Sequence, residues 1–315
     1  MRKPVQVYRG DELARYGFGD PHPFGTDRHD VFHAELERRG LGDAIDYASP
    51  RRAGTEDLLL FHTPEYVDFV LQKSESGEGF LDEGDTPAIP GIFDAASDVV
   101  GSVMSAADAI MHGDATRAFV PIAGLHHAAR DRAAGFCVFN DCGVVAEYLR
   151  REYRLKRIAY VDIDAHHGDG MFYGFVSDPD LLFADIHEDG RFLYPGTGAA
   201  TETGTGPAEG TKLNIPLPPG AGDAEFFGAW DAVLAYLDRA RPEFILFQCG
   251  ADSLAGDPIT HLEFTEEAHG TAAAALCRLA DSHCEGRIIG TGGGGYNRDN
   301  LARAWTRVVE AFARA

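Results

Sequence analysis

Four short stretches gather residues able to bind metals and move protons. They are His126-His127, the segment from Asp162 through Ile163, Asp164, Ala165, His166, His167 and Gly168 to Asp169, then Gly250-Ala251-Asp252-Ser253, and Gly292–Gly295 followed by Tyr296. Read as extended chain, the second alternates faces, so Asp162, Asp164 and His166 project to one side and Ile163 and Ala165 to the other. Asp164 and His166 are then placed to share an ion, with Asp252 arriving from another strand. Carboxylate oxygen and imidazole nitrogen suit zinc, and three protein ligands leave a position open for water or substrate. The same spacing would also serve a buried polar network or a Ca²⁺ or Mg²⁺ site. Asp162 and Asp169, not needed by such an ion, could each orient one imidazole of the His126-His127 pair, fixing its tautomer and raising its basicity. Paired histidines are often plain surface or core residues, so it is these partners that give the pair its meaning. Two histidines with different partners can hold different protonation states, as acid–base chemistry requires. Tyr296, after four glycines, either brings a phenol to where an oxyanion would form or is a packed aromatic after a flexible loop.

Each stretch lies at or just past the end of a β-rich run. Candidate strands fall at 117–121, 157–163, 181–186, 213–217, 243–249 and 287–291, alternating with helices of 3.6-residue period. One helix follows Asp94 as a possible N-cap and buries Val99, Val100, Val103, Met104, Ala107 and Ile110. A second carries Phe226, Phe227, Trp230, Val233, Leu234 and Leu237, and a third Leu301, Trp305, Val308, Val309 and Phe312, all expected to face the core. The alternation predicts a three-layer α/β/α architecture with a largely parallel central sheet. Such sheets bind ligands beyond the carboxyl ends of their strands, where these polar stretches fall. Two long loops, 74–91 and 189–222, would rim the pocket. Length alone suggests about two domains, but the 315 residues contain no linker, repeat or low-complexity tract, so a single domain over 1–315 is expected.

With 50 acidic against 28 basic residues, the net charge is −22. That field repels phosphate backbones, so direct nucleic-acid binding is not expected, while cationic substrates would be drawn to a cleft sharing it. Five cysteines with no CxxC pair, no apolar signal core and no run near the ~20 residues of a membrane span point to a reducing cytoplasm and no membrane association. Oligomeric state leaves no signature. Gly290–Gly295 formally matches G-x-G-x-x-G, but too little chain follows for the strand that would carry a ribose-binding acid, which excludes a dinucleotide fold.

The ordered set of motifs resembles the zinc-dependent histone deacetylases of the arginase/deacetylase superfamily, and most of all the bacterial acetoin-utilisation type. It runs from His22-Pro23 through Gly84-Asp85-Thr86-Pro87, Gly91-Ile92-Phe93-Asp94, Gly124-Leu125-His126-His127, Gly135-Phe136-Cys137 and Asn140-Asp141. It continues through the Asp162–Gly170 segment, Tyr194-Pro195-Gly196-Thr197-Gly198 and Gly250-Ala251-Asp252-Ser253 to Gly292–Tyr296. The resemblance implies that Asp164, His166 and Asp252 hold one catalytic zinc. It makes His127 the general base that activates water and then protonates the leaving amine, with His126 as its electrostatic partner. Asp169 and Asp162 then orient His127 and His126, and Tyr296 stabilises the oxyanion. Gly135, Phe136 and Tyr194 would line an acyl-lysine tunnel, Asp85 would grip substrate amides at its rim, and Arg28 would lie beneath the site.

The same resemblance implies a structural K⁺ held by Asp162, Asp164, His166, Asp185 and Ile186, although Asp185 stands where the family often has serine. Gly168 and Leu254 replace aspartates that carry a second metal in arginase-like relatives, which implies one catalytic metal and excludes a guanidine hydrolase. The implied function is deacetylation of N-acetylated amines, acetyl-lysine in proteins foremost, with a small acetylpolyamine as the alternative substrate. An inactive acetyl-lysine-binding module would need a ligand, His127 or Tyr296 to be missing, and none is.

Overall fold

Eight short runs rich in Val, Ile, Phe and Ala form one sheet in a computed structural model that describes residues 3–315. They are β1 Val5–Tyr8, β2 Ile45–Ala48, β3 Arg117–Val120, β4 Ile158–Asp162, β5 Leu181–Glu188, β6 Lys212–Leu217, β7 Phe244–Gln248 and β8 Ile288–Thr291. Their order is β2-β1-β3-β8-β7-β4-β5-β6, and every pairing is parallel. A parallel sheet needs helical crossovers that cover both faces, which is why β3, β4, β5, β7 and β8 are buried at every residue.

The connecting helices are α1 Asp11–Ala14, α2 Arg28–Arg39, α3 Thr55–Leu58, α4 Pro64–Ser76, α5 Ile92–Met111, α6 Asp141–Tyr153, α7 Asp169–Gly174, α8 Asp223–Ala240, α9 Glu266–His283 and α10 Arg298–Arg314. α2, α10, α9 and α8 pack in succession, and α5 packs on α6, giving the three-layer arrangement. Among the described residues no helix is long and apolar enough to cross a membrane.

Three local expectations need correction. The helix near Asp94 begins at Ile92 behind Gly91, whose left-handed φ of 82° turns the chain into it; Asp94 lies in its first turn, where a carboxylate faces the helix dipole and pairs with Arg52 at 2.6 Å. Residues 74–76 belong to α4, which Gly77 terminates in a left-handed conformation, so the first rim loop starts there. Strands β1 and β2 were not anticipated; each has only four residues, and β2 is an edge strand with no fully buried position.

The order β3-β8-β7-β4 sets four neighbouring carboxyl ends side by side. The chain leaving them carries His126-His127, Tyr296, Asp252 and the Asp162–Asp169 segment, so the topology converges the polar stretches on one edge.

Candidate active site

Strand β4 stops at Asp162, so the face alternation expected across Asp162–His166 does not occur. The cause is local. Asp162 Oδ1 accepts the Asp164 N–H at 2.9 Å, and Asp164 Oδ1 accepts the His166 N–H at 3.0 Å. Each carboxylate thus bonds the backbone two residues on and competes with the strand ladder. The three side chains still converge. His166 Nδ1 lies 3.1 Å from both Asp164 Oδ1 and Asp252 Oδ2, and the three possible ligand atoms lie within 4.8 Å of one another.

The surroundings are built for that cluster. Asp252 Oδ1 accepts the Ala165 N–H at 3.0 Å, and Asp164 Oδ2 accepts from Gln248 Nε2 and the Gly294 N–H, both at 2.9 Å. A Cβ on Gly250 would overlap the Asp164 carboxylate, and one on Gly294 would overlap Asp252. Two buried carboxylates and an imidazole, with backbone pressed against them, fit a divalent cation, whose charge would satisfy acceptors that three side chains alone leave in mutual repulsion. Gly168 is packed against Asp162, with a Cβ placed 2.9 Å from its Oδ2, and Leu254 is buried, so neither position offers a second ligand set.

Beside the cluster stand the two histidines. The turn carrying them is fixed by Asp141, which accepts from the Gly124 N–H at 3.0 Å and the Leu125 N–H at 2.8 Å. His126 Nδ1 meets Asp162 Oδ2 at 2.8 Å, and His127 Nδ1 meets Asp169 Oδ1 at 2.6 Å, with the two Nε2 atoms 3.2 Å apart. Each expected carboxylate partner is in place. Burial opposes charge on His126, but Asp162 and Asp164 outweigh it and hold this imidazole up to about 10. Burial, then the neighbouring His126 charge, pulls His127 down to about 4 against Asp169. At neutral pH the pair is one imidazolium and one neutral imidazole.

Tyr296 reaches the same space, its backbone N–H held by Asp257 Oδ2 at 2.9 Å and its ring edge-on to Phe136 at 5.8 Å and Phe24 at 6.4 Å. Burial, then Asp252, pushes its phenol well above the usual value, so it remains a hydrogen-bond donor. Arg28 is fully buried beneath, donating to the Gly293 and Gly295 carbonyls at 2.6 and 3.0 Å.

A cleft of about 650 Å³ leads down to this group, lined by Asp82, Glu83, Asp85, Arg132, Asp169 and Tyr194. Asp85 is exposed at the rim, and Tyr194 packs edge-on to His127 at 5.1 Å. Gly135 has φ of 53°, and a Cβ there would come within 2.5 Å of His127 Cδ2, so any larger residue would invade the histidine. Phe136 also holds a positive φ, 67°, a strained value for an aromatic residue. Thr86 Oγ1, accepting its N–H at 3.0 Å, and the Tyr16 hydroxyl, donating to its carbonyl at 2.7 Å, pin it there. Among the site residues themselves, His126, His127, Asp164, His166 and Tyr296, together with Phe24, Leu125, Cys137, Gly293 and Gly294, enclose a recess of only about 10 Å³.

Asp185, expected beside K⁺, accepts from the Gly168 N–H at 2.9 Å and pairs with His187 Nδ1 at 2.7 Å. It lies opposite Asp162 in the β4–β5 register and is followed by buried Ile186. Sequence reasoning missed Gln248, which bonds Asp164, and Asp257, which fixes Tyr296. Gln248 left one signal, an amide ending the apolar β7 run. Asp257 left none.

The family model for the histone deacetylase domain matches residues 22–312. The acetoin utilization protein AcuC of Bacillus subtilis (strain 168) is 38% identical over 320 residues, covering 98% of this chain and 81% of that protein. The AcuC of Staphylococcus aureus (strain MSSA476) is 34% identical over 315 residues, covering 97% and 80%. In structure the chain is similar to the HD domain of HDA15, with a TM-score of 0.91 and 27% identity over 99% of this chain and 90% of that one.

Proposed function

The chain belongs to the histone deacetylase family, and from that premise we propose that it is a zinc-dependent hydrolase removing acetyl groups from acetyl-lysine in proteins. One arrangement carries the proposal: a metal-competent Asp164–His166–Asp252 cluster flanked by two histidines in opposite protonation states and a phenol that stays protonated. When bound, a divalent ion supplies Lewis acidity at the amide carbonyl and brings the pKa of a water towards ~7.

The chain's own groups do the rest. His127, neutral and oriented by Asp169, takes the proton of the attacking water and returns it to the leaving amine, without which an amide does not part. His126, held charged by Asp162, stabilises negative charge as it develops nearby. The Tyr296 hydroxyl donates to the carbonyl oxygen as it becomes an oxyanion. Phe136 and Tyr194 flank the aliphatic stem of the substrate, and Gly135 leaves His127 room to reach it. On the same reading Asp162, Asp164, His166, Asp185 and Ile186 would hold a structural K⁺; Asp162 and Asp185 are both buried and lie in register on β4 and β5, which would favour a cation.

The test is amine release from an acetyl-lysine peptide and from an N-acetylpolyamine, with and without chelator. Chelator-sensitive turnover of the peptide is expected. Preference for the polyamine, which the −22 charge would favour, would move the substrate to small acetylated amines; no turnover of either by metal-loaded protein would overturn the proposal.

Although Asp85 is exposed at the rim, partial desolvation of its carboxyl by its neighbours and then the Asp82 carboxylate raise it to about 7. Its carboxylate, the form that accepts substrate amide N–H groups, therefore predominates only above that pH. KM for the peptide is expected to fall as pH rises through about 7, and Asp85→Asn is expected to remove that step and raise KM about tenfold, the usual size of a hydrogen bond to a charged group. An unchanged KM and an intact pH step in the variant would refute the role.

A further inference from the structure

On α4, Glu65 and Phe69 stand one helical turn apart on the same face. Phe69 leaves 38% of its surface in solvent and stacks on Tyr66 with ring centroids 6.4 Å apart. A lone exposed aromatic is ordinary on a protein surface. What marks this one is the hollow beside it. Phe69, Tyr66 and Leu81 give a groove of about 550 Å³ its apolar lining, and Glu65, Asp131 and Arg132 its charged one. Tyr66 and Leu81 are themselves buried, and both are held in place. The Tyr66 hydroxyl donates to the Val138 carbonyl at 2.6 Å, and the Leu81 N–H to the Thr86 carbonyl at 2.8 Å.

This groove adjoins the cleft that leads to the active site. Arg132 lines both, and two segments of chain pass from one hollow to the other. Leu81 lines the groove and Asp82–Asp85 the cleft, while Asp131 lines the groove and Ala133 and Ala134 the cleft. At most about four residues of chain separate them, a reach of no more than ~14 Å. The dividing turn is stiff: Asp82 Oδ1 accepts the N–H groups of Gly84, Asp85 and Thr86 at 3.0, 3.0 and 2.9 Å, and the Thr86 hydroxyl donates to Asp82 Oδ2. Across both hollows six acids, Glu65, Asp82, Glu83, Asp85, Asp131 and Asp169, meet one base, Arg132, which is tied to Asp131 at 3.0 Å. A chain laid over that surface is favoured when it carries positive charge.

We propose that the groove between Phe69, Tyr66 and Leu81 is a subsite for the peptide flanking the acetyl-lysine, taking a large apolar side chain about two to four residues away in a segment that also carries a lysine or arginine. The inference rests on the acetyl-lysine reading above and narrows it to a sequence class. With the acetyl-lysine stem in the cleft, an extended peptide crossing the Asp82–Asp85 turn brings its next side chains over the groove, where Phe69 offers a ring face and Glu65 and Asp131 offer charge. A linear acetylpolyamine could use the acids but has no side chain to fill the apolar part.

The test measures kcat and KM of the metal-loaded full chain on acetyl-lysine peptides with one flanking arginine in an alanine background. Phenylalanine replaces alanine at successive positions on either side, and a blocked single acetyl-lysine serves as the shortest substrate. At one position, about two to four residues from the acetyl-lysine, phenylalanine is expected to lower KM about tenfold with kcat little changed, the size of a partly buried aromatic side chain. Exchanging the peptide's arginine for glutamate is expected to raise KM several-fold, and less at high salt. Phe69→Ala, made on the exposed face of α4, is expected to bring the phenylalanine and alanine peptides to within about twofold of each other. That ratio does not move if the variant merely loses stability, and the positional preference of the wild type needs no variant at all. Turnover of the blocked residue with no preferred position, or a preference that survives Phe69→Ala, would overturn the subsite and leave the deacetylase reading standing. Turnover of neither the blocked residue nor any peptide would overturn both.

Discussion

Tyr296→Phe is expected to lower kcat by roughly 10²–10³, about 2.7–4 kcal/mol, the usual cost of removing one oxyanion donor, while bound metal stays stoichiometric. The substitution deletes one oxygen and leaves every other contact. The phenylalanine ring can keep the edge-on packing against Phe24 and Phe136, the Arg28 guanidinium 5.8 Å from its centroid, and the backbone N–H bond to Asp257. A fold defect is therefore not expected, and thermal stability and metal content serve as controls. The measurement is kcat and KM on an acetyl-lysine peptide beside metal content per chain. An effect confined to kcat means the hydroxyl acts only as negative charge gathers on the carbonyl oxygen. Near wild-type kcat would mean that another donor fills this role, and the assignment of Tyr296 would fall.

The parts of this site that the sequence disclosed share one property: their chemistry is written in residue type at a strand's end. Asp164, His166, Asp252 and the His126-His127 pair stand out because acids and imidazoles directly follow apolar runs that must be buried on both sides. The runs themselves were legible for the same reason, and β3 to β8 fall within a few residues of their expected bounds. β1 and β2 escaped because four residues at the sheet's margin carry too little periodicity to rise above the surrounding chain.

What was illegible depends on through-space neighbours. Gln248 matters because it reaches Asp164, 84 residues earlier in the chain, and Asp257 because it reaches the Tyr296 backbone, 39 residues later. The strand boundary at Asp162 was misjudged because alternation was extended through residues whose carboxylates bond their own backbone instead. Local polar competition, invisible to a two-residue period, decided that boundary.

Asp252→Ala is expected to lose stoichiometric metal and with it all measurable turnover. Two candidate ligands, Asp164 and His166, remain, and they are already neighbours in the chain; Asp252 is the group that would close the set from the adjacent strand, on the segment after β7. Losing it should cost more than the ~10–100-fold in affinity typical of an outer partner of a metal ligand. Alanine also leaves the buried Ala165 N–H without its 3.0 Å acceptor, an added cost of about 1–3 kcal/mol in stability that could itself disturb the cluster. Asp252→Asn separates the two effects: its amide oxygen can still accept from Ala165, but the charge is gone. Both variants are expected to be metal-poor by elemental analysis after dialysis, and the asparagine form is expected to unfold at the higher temperature of the two. Either variant retaining one tightly held ion per chain would show that Asp252 is not a ligand. The ion would then have to be sought from the remaining acids, Asp162 first, because it lies two residues from Asp164 on the same segment.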